Sequence, residues 1–415
     1  MEEIPLPSHF SPELDLDTLK PISFLGKGAM GTVYLVYDPK SDPSAASPFA
    51  LKLVDKSLLR TKPDADRRAR WEVQVLTRLS DPENLHPFLP SLLGSFECDE
   101  YLGWAVPYCS GGDLNALRHF QNDRVFSPAV LRFYLAEIVC ALEHLHTMGL
   151  AYRDLKPENV LIQHSGHVTL TDFDLSRSLN HQAVKTVASA ADNAAEDTRR
   201  KSRGSLTRWI TIINDNKKSK AAGVGLLKKA KSARVSPVCR RKPSFSDNGE
   251  RANSFVGTVE YVSPEILRGE GHDFAVDWWA LGILAYECLY GMTPFKGKSR
   301  KETFRNVVTR TPEFVGRRTA LTDLIERLLH KDPTRRLGYV RGACEIKEHE
   351  FFRGVRWDLL TEVSRAPFIP PREEDVTERT RDSEKCGASV RELLQKLRAP
   401  PSSMPPSPDC QFAEF

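Results

Sequence analysis

The sequence lacks the features that mark a secreted or membrane-spanning chain. Its opening stretch, MEEIPLPSHFSPELDLD, has no basic start and no apolar core, so we expect no secretory signal. The longest apolar run, WWALGILAYECLY, is shorter than the ~20 residues that cross a bilayer. Its eight cysteines form no C-x-x-C pair, which is typical of separate thiols in a reducing compartment. These absences predict a soluble intracellular protein.

The sequence also has no visible internal repeat and no unusual composition. Hydrophobic residues make up 40% and charged residues 27% of the 415 positions, as in ordinary globular proteins. This length is sufficient for two compact units or for one large bilobal unit.

Positive charge is concentrated in one segment. Residues 199–251 hold 16 Lys and Arg against three acidic residues, a net +13, whereas the whole chain carries +4. The stretch of about 178–250 has few aromatics and little periodic apolar surface, so we expect it to be disordered. Basic clusters in 217–242 suit nuclear import or contact with an anionic membrane, and simple solubilising charge is the alternative. We expect a protein of the cytoplasm and nucleus, with peripheral membrane contact as a variant and no specific nucleic-acid partner.

The first hundred residues predict strands around one helix. In ISFLGKGAMGTVYLVY (22–37) a glycine-rich turn separates two β-forming runs, as in a hairpin. Trp71, Val75 and Leu79 recur at four-residue spacing, which predicts a helix over 65–79.

The rest of the chain predicts mainly helices. Ser127 and Pro128 fit an N-cap and a first helical position, and Gly149 suits the end of the same helix. Further helices are expected near 276–290 and 319–330. The pattern as a whole predicts an α+β fold, with an extended tail over the last forty residues.

The glycine-rich turn is a candidate phosphate-binding loop. Gly26, Gly28 and Gly31 fit G-x-G-x-x-G-x-V, in which missing side chains let backbone amides close over phosphates. Strand-like residues follow Gly31, whereas a dinucleotide site would have a helix there. The residues predicted to contact the nucleotide here are Leu25, Gly26, Lys27, Gly28, Ala29, Met30, Gly31, Thr32 and Val33.

Charged residues at three later points suit phosphoryl transfer. Lys52 lies within FALKLV, and Glu72 follows twenty residues later in the predicted helix, where it could hold the lysine against nucleotide phosphates. An exposed lysine is the alternative interpretation of Lys52. In YRDLKPEN (152–159), Asp154 could accept or orient the proton of an attacking hydroxyl.

The same stretch supplies positive charge and metal ligands. Lys156 could neutralise charge on the transferring phosphoryl group, and Asn159 offers a hard oxygen to magnesium. Asp172, in DFD, offers the main metal carboxylate. We expect ATP as the nucleotide, with Mg²⁺ and, as an alternative, Mn²⁺.

These motifs together resemble the eukaryotic protein kinases over residues 19–352. Tyrosine in YRD, the DFD triplet and the long insertion are similar to the plant AGC VIII serine/threonine kinases. PYCSGGDL, GVRWDLLTEV and the terminal FAEF are most similar to the UNICORN-like subgroup. The resemblance implies a bilobal fold, with a β-rich N-lobe and a helical C-lobe. It also implies an N-terminal extension (1–18), an insertion in the activation segment, and an AGC-type tail (353–415).

The resemblance also assigns roles around the nucleotide. Adenine would bond backbone groups near Pro107 and Cys109, and Asp113 would meet the ribose. Thr258 would lie beside the catalytic aspartate. The tail segment 366–390 shows no clear aromatic motif to cover the adenine.

Structural and substrate contacts follow from the same resemblance. Glu265 would pair with Arg336, and Asp277 would brace the catalytic loop. Glu158 and Glu287 would attract arginines two to five residues upstream of the phosphoacceptor, although a structural buried pair is the alternative for Glu287.

Regulatory sites are implied as well. Ser254 falls at the activation-loop phosphosite, where its phosphate would pair with Arg153, and Arg251 lies three residues upstream. Autophosphorylation and an upstream phosphoinositide-dependent kinase are both open. Phe412 and Phe415 form an F-x-x-F motif that would dock in a groove beside the predicted helix or recruit that upstream kinase.

Asp174 is the main departure from the kinase pattern, because glycine is usual at this position. We expect Asp174 to adopt positive φ at a cost of about 1 kcal/mol and to add negative charge near the metal. It removes no metal ligand. The sequence therefore predicts an active kinase, with a pseudokinase scaffold as the competing interpretation. The resemblance implies a role in plant growth and development.

Overall fold

The computed structural model describes eight stretches of the chain. These are residues 13–28, 30–40, 47–61, 64–121, 123–179, 259–363, 366–370 and 388–398. The predicted extension over 1–18 is described from residue 13 onward. The predicted basic insertion lies outside the described residues, except for Ser178 and Leu179.

The N-terminal part is built on a five-stranded antiparallel sheet in the order β1-β2-β3-β5-β4. Its strands are β1 (Lys20–Lys27), β2 (Thr32–Tyr37), β3 (Phe49–Asp55), β4 (Gly94–Glu97) and β5 (Tyr101–Pro107). Side chains alternate across β3, so Leu51 and Leu53 pack on one face of the sheet. Val54 packs on the other face, and Lys52 therefore points toward that side too.

Two helices follow β3. They are α1 (Lys56–Thr61) and α2 (Ala65–Leu79), and α2 has the bounds that the sequence predicts. Ala69, Val73 and Leu76 of α2 are buried in the same cluster as Val54 and Trp104 of the sheet. This packing presents the neighbouring residue Glu72 to β3.

The C-terminal part is helical. Its helices are α3 (Leu114–His119), α4 (Pro128–Thr147), α5 (Pro264–Arg268), α6 (Ala275–Tyr290), α7 (Arg300–Thr309), α8 (Ala320–Leu328), α9 (Ala343–Lys347) and α10 (Leu360–Val363). The Ser127 hydroxyl accepts a bond from Val130 N at 3.4 Å and caps α4 as predicted. Thirteen of the sixteen residues of α6 are buried, so α6 is the centre of this part. None of the helices in the described stretches is long and apolar enough to cross a membrane.

Two small antiparallel strand pairs flank the loops that contain the predicted catalytic residues. They are formed by β6 (Leu150–Ala151) with β9 (Arg177–Ser178) and by β7 (Val160–Ile162) with β8 (Val168–Leu170). The catalytic loop joins β6 to β7, and the DFD corner joins β8 to β9. The predicted α+β, two-lobed arrangement is confirmed.

The tail returns to the N-terminal sheet. Phe368 passes against Gly166, where an added Cβ would lie 2.3 Å from the Phe368 carbonyl oxygen. A final described helix, α11 (Val390–Arg398), buries Val390 and Leu394 against the outer face of the sheet. The prediction of an extended tail was therefore wrong for these residues, because the four-residue spacing of apolar side chains gives a helix one buried face.

We expect Leu394→Ala to weaken the docking of α11. Leu394 is 6% exposed, and truncating a buried leucine costs about 2 kcal/mol or more of the free energy of unfolding. Leu397→Ala is the matched control, because Leu397 is 52% exposed on the same helix. Thermal melting should show a lower midpoint for Leu394→Ala alone, and equal midpoints for the two variants would contradict the docking.

Candidate active site

The glycine-rich turn closes over an open space. Gly28 N donates to Gly31 O at 2.8 Å, which holds the β1–β2 turn. An added Cβ on Gly26 would meet no atom within 4 Å, so the loop leaves room on that side for a ligand. Gly31 has a different role, because a Cβ there would lie 2.2 Å from Leu53 O in β3. Ala29 lies outside the described residues.

Lys52 joins three elements of the fold. Its Nζ donates to both carboxylate oxygens of Glu72 at 2.9 Å, and to Asp172 Oδ1 at 2.7 Å. The lysine side chain is 14% exposed and Glu72 is 4% exposed, so these contacts are largely shielded from water. The structure thus brings together the lysine of β3, the glutamate of α2 and the aspartate of the DFD corner.

The charges of this group shift one another's pKa values. Burial lowers the pKa of Lys52, but the attraction of Glu72 and Asp172 outweighs burial, so its pKa is raised and the amine stays charged. Lys52 lowers the pKa of Asp172, which keeps that carboxylate ionised. Burial raises the pKa of Glu72, and the nearby charges of Asp172 and Asp174 raise it further.

The catalytic loop gathers polar groups around Asp154. Lys156 Nζ donates to Asp154 Oδ2 at 2.7 Å, and Asn159 Nδ2 donates to the same oxygen at 2.9 Å. Burial raises the pKa of Asp154, and these two bonds oppose the effect of burial. The carboxylate is therefore oriented by two donors.

Asp277 of α6 holds the backbone of the same loop through hydrogen bonds. Its Oδ2 accepts from Tyr152 N at 2.8 Å, and its Oδ1 accepts from Arg153 N at 2.7 Å. Arg153 has φ of 70°, a left-handed conformation that is uncommon for a residue with a side chain. The two bonds that this fully buried carboxylate accepts stabilise the loop backbone, as the resemblance implies for Asp277. The predicted pair of Glu265 and Arg336 also forms, at 2.7 and 2.9 Å.

The residues predicted to contact adenine and ribose lie between the end of β5 and the start of α3. Pro107 ends β5 and Cys109 follows it, and burial raises the pKa of the Cys109 thiol to about 12. Asp113 caps α3, since its Oδ1 accepts from Ala116 N at 2.7 Å. One oxygen of Asp113 is thus used by the helix, and the ribose contact stays a prediction.

The side chains present fit a magnesium–nucleotide complex. The amide nitrogen of Asn159 donates to Asp154, so its amide oxygen is the atom left for a cation. The Asp172 carboxylate is 46% exposed and contacts Lys52 through one oxygen. Magnesium is bound by one or two such oxygen ligands together with phosphates and water. Within the described stretches, no three His, Cys, Asp or Glu side chains cluster so as to hold a metal ion.

Asp174 differs from its prediction. The described non-glycine residues with positive φ include Asp172, at 57°, but not Asp174. The expected backbone strain at Asp174 is therefore wrong, because the left-handed turn falls two residues earlier. The Asp174 carboxylate instead forms an ion pair with Arg68 of α2.

The two predicted substrate acids have different surroundings. Glu158 is exposed on the catalytic loop. Glu287 contacts Arg118 Nη2 at 3.2 Å and accepts from the Tyr261 hydroxyl at 2.6 Å. Glu287 therefore already has the structural partners that the alternative interpretation requires, and its substrate role stays a prediction.

Several predicted residues cannot be placed. Thr258, Ser254, Phe412 and Phe415 lie outside the described residues. Arg68 was not predicted as a site residue, although it precedes Glu72 by one helical turn and so shares its face. The four-residue spacing from Glu72 was the signal that could have placed Arg68 near the site.

The sequence is similar to those of known protein kinases. A family profile described as "Protein kinase domain" matches residues 19–198 and 242–352. Serine/threonine-protein kinase UCNL of Arabidopsis thaliana is 61% identical over 395 residues, covering 95% of this chain and 92% of the relative. Serine/threonine-protein kinase UCN of the same plant is 58% identical, covering 94% and 93%. Serine/threonine-protein kinase OXI1, also from Arabidopsis thaliana, is 42% identical, covering 86% and 80%.

We expect Lys52→Met to lower kcat/KM by at least about 100-fold, because one substitution removes the charge that Glu72 and Asp172 share. The measurement is steady-state phosphate transfer to a peptide. Lys56→Met is the matched control, since it breaks a 2.6 Å ion pair with Glu97 away from the site. Equal losses in the two variants would contradict a specific role for Lys52.

Proposed function

This chain belongs to the protein kinase family, and we propose that it phosphorylates serine or threonine residues that have arginine two to five positions upstream. Its activity as a serine/threonine protein kinase follows from the kinase domain and from relatives of 58% and 61% identity. The domain also implies ATP and a divalent cation. The predicted resemblance to plant AGC kinases is confirmed. The findings support kinase activity and not the scaffold alternative.

The observation that carries this function is the convergence of Lys52, Asp154 and Asp172 between the two lobes. Lys52 would hold the nucleotide phosphates, since its position is fixed by Glu72 on one side and Asp172 on the other. A divalent cation, when bound, would neutralise charge on the phosphates. Asn159 and Asp172 would ligate it, and we propose magnesium, with manganese as an alternative.

Asp154 would orient the attacking hydroxyl. Its Oδ2 already accepts hydrogen bonds from Lys156 and Asn159. A substrate hydroxyl would donate to a remaining lone pair of the same carboxylate. The raised pKa of Asp154, caused by burial, favours its acting as a proton acceptor. Lys156, adjacent to it, would balance charge on the transferring phosphoryl group.

The arginine preference is supported mainly by Glu158. It is exposed on the catalytic loop, so an incoming arginine can reach it without displacing an internal pair. Glu287 would contribute less, because Arg118 already neutralises part of its charge. Proline-directed or acid-directed specificity is the alternative outcome.

A phosphate on Ser254 remains part of the proposal. Burial and repulsion from Arg177, with a smaller effect from Arg68, lower the pKa of Arg153 to about 10. The repulsion indicates that Arg177 lies near Arg153, and a phosphate group on Ser254 would add negative charge beside these two arginines. Modification by the protein itself or by an upstream kinase is open.

The tail and the basic segment complete the proposal. Fourteen positions separate Arg398, at the end of α11, from Phe412, a span of up to about 45 Å when extended. We propose that, within this span, Phe412 and Phe415 dock beside α2 or recruit an upstream kinase. Contact of the basic insertion with nuclear import factors or anionic membranes, a cytoplasmic and nuclear location, and a role in plant growth stay predictions.

We expect Glu158→Gln to reduce selectively the use of arginine-containing peptides. Loss of one charge-assisted contact of about 1.4 kcal/mol corresponds to a 10-fold lower kcat/KM. The peptide pair should differ only by arginine or glutamine three residues before the serine, and the glutamine peptide should be unaffected.

Two comparisons sharpen this experiment. Glu350→Gln is the matched control, because Glu350 is an exposed acid in the same lobe that pairs with Arg353. Equal loss on both peptides in Glu158→Gln, or a wild-type preference for proline after the serine, would contradict the proposal.

A further inference from the structure

Asp174 has a partner that its place in the DFD corner does not predict. Its carboxylate is 9% exposed and forms an ion pair with the Arg68 guanidinium of α2. Arg68 and Glu72 are four residues apart on one helix, so both point toward the same corner of the active site. Arg68 reaches Asp174, whereas Glu72 reaches Lys52.

A second contact runs parallel to this pair. Trp71 Nε1 donates to Ser176 Oγ at 3.0 Å. Ser176 Oγ donates in turn to Phe173 O at 2.6 Å, and Ser176 N donates to the same oxygen at 2.9 Å. These bonds make residues 173–176 a compact turn. The helix is thus attached to that turn at two points, through Arg68 and Trp71.

We propose that Asp174 is a positioning residue, which through Arg68 holds α2 in the orientation that brings Glu72 into contact with Lys52. A glycine at this position would offer no carboxylate. The helix would then keep only the Trp71–Ser176 bond to the turn, together with its contact through Lys52. The inference concerns the kinase activity itself and does not depend on the arginine preference.

The backbone argues against a conformational explanation of Asp174. Asp174 is not among the described residues with positive φ, so the freedom of glycine is not needed at this position. An aspartate at this position therefore causes no strain of a left-handed backbone. What it has is a nearly buried charge with a partner on the helix that carries Glu72.

The same geometry explains why Arg68 is needed to compensate the negative charge of Asp174. Asp174 is close enough to Glu72 for its negative charge to act unfavourably on that carboxylate. Without Arg68, Asp174 would remain as a shielded, uncompensated charge beside Glu72. Breaking such a pair by removing one partner is more damaging than removing both.

The test is a double-mutant cycle in the full-length chain. We expect Asp174→Gly to lower kcat about 10-fold with little change in KM for the peptide, because it shifts α2 away from the competent orientation. Arg68→Ala should lose at least as much. The double variant Arg68→Ala/Asp174→Gly should be no worse than Arg68→Ala alone, since it also removes the unpaired carboxylate.

Conservative variants separate positioning from general damage. Arg68→Lys keeps the charge and should recover most of the activity that Arg68→Ala loses. Asp174→Asn keeps the shape and should lie between the wild type and Asp174→Gly. Arg67→Ala is the matched control, because the neighbouring Arg67 pairs with Asp64 at the surface of the same helix and should leave kcat unchanged.

Hydrogen exchange gives a readout that does not depend on activity. Amides of α2 should exchange faster in Asp174→Gly and Arg68→Ala than in the wild type, whereas amides of α6 should exchange at the wild-type rate. Multiplicative losses in the double variant would overturn the proposal. A changed magnesium requirement with unchanged exchange in α2 would overturn it too, and would assign Asp174 to the metal instead.

Discussion

The contact of Lys52 with Glu72 and Asp172 is the interaction on which the rest of the structure depends. Each of the three residues belongs to a different element, namely a strand, a helix and the corner after β8. Two carboxylates surround this shielded lysine and raise its pKa, so the amine stays charged. The active site is therefore competent only when the helix and the corner approach the sheet together.

The contacts around α2 matter for activity because they fix the orientation of the helix that carries Glu72. The helix packs on the sheet through apolar residues, but those contacts do not fix its rotation as strictly as directional polar bonds do. Arg68 and Trp71 add such bonds to the DFD corner. Asp174, which a motif comparison would count as a defect, thus becomes part of the same arrangement.

The sequence predicted the parts of the site that local motifs encode. The glycine turn, the YRDLKPEN loop and the helix over 65–79 were all predicted, because each depends on residues close together in the chain. The pair of Arg68 and Asp174 joins positions 106 apart, and no periodicity predicts such a contact. Helix α11 was missed for another reason, since its apolar positions are few and the surrounding tail is rich in proline. The positive φ expected at Asp174 was wrong because the left-handed residue of this corner is Asp172, two positions earlier.

Single-turnover transfer of labelled phosphate from magnesium–ATP to a serine peptide tests the central claim most directly. The wild type should incorporate phosphate, and incorporation should stop when the metal is chelated. Asp154→Asn should be slower by about 100-fold or more, because the oriented carboxylate is lost. Equal transfer by the two proteins, or transfer without metal, would contradict the account.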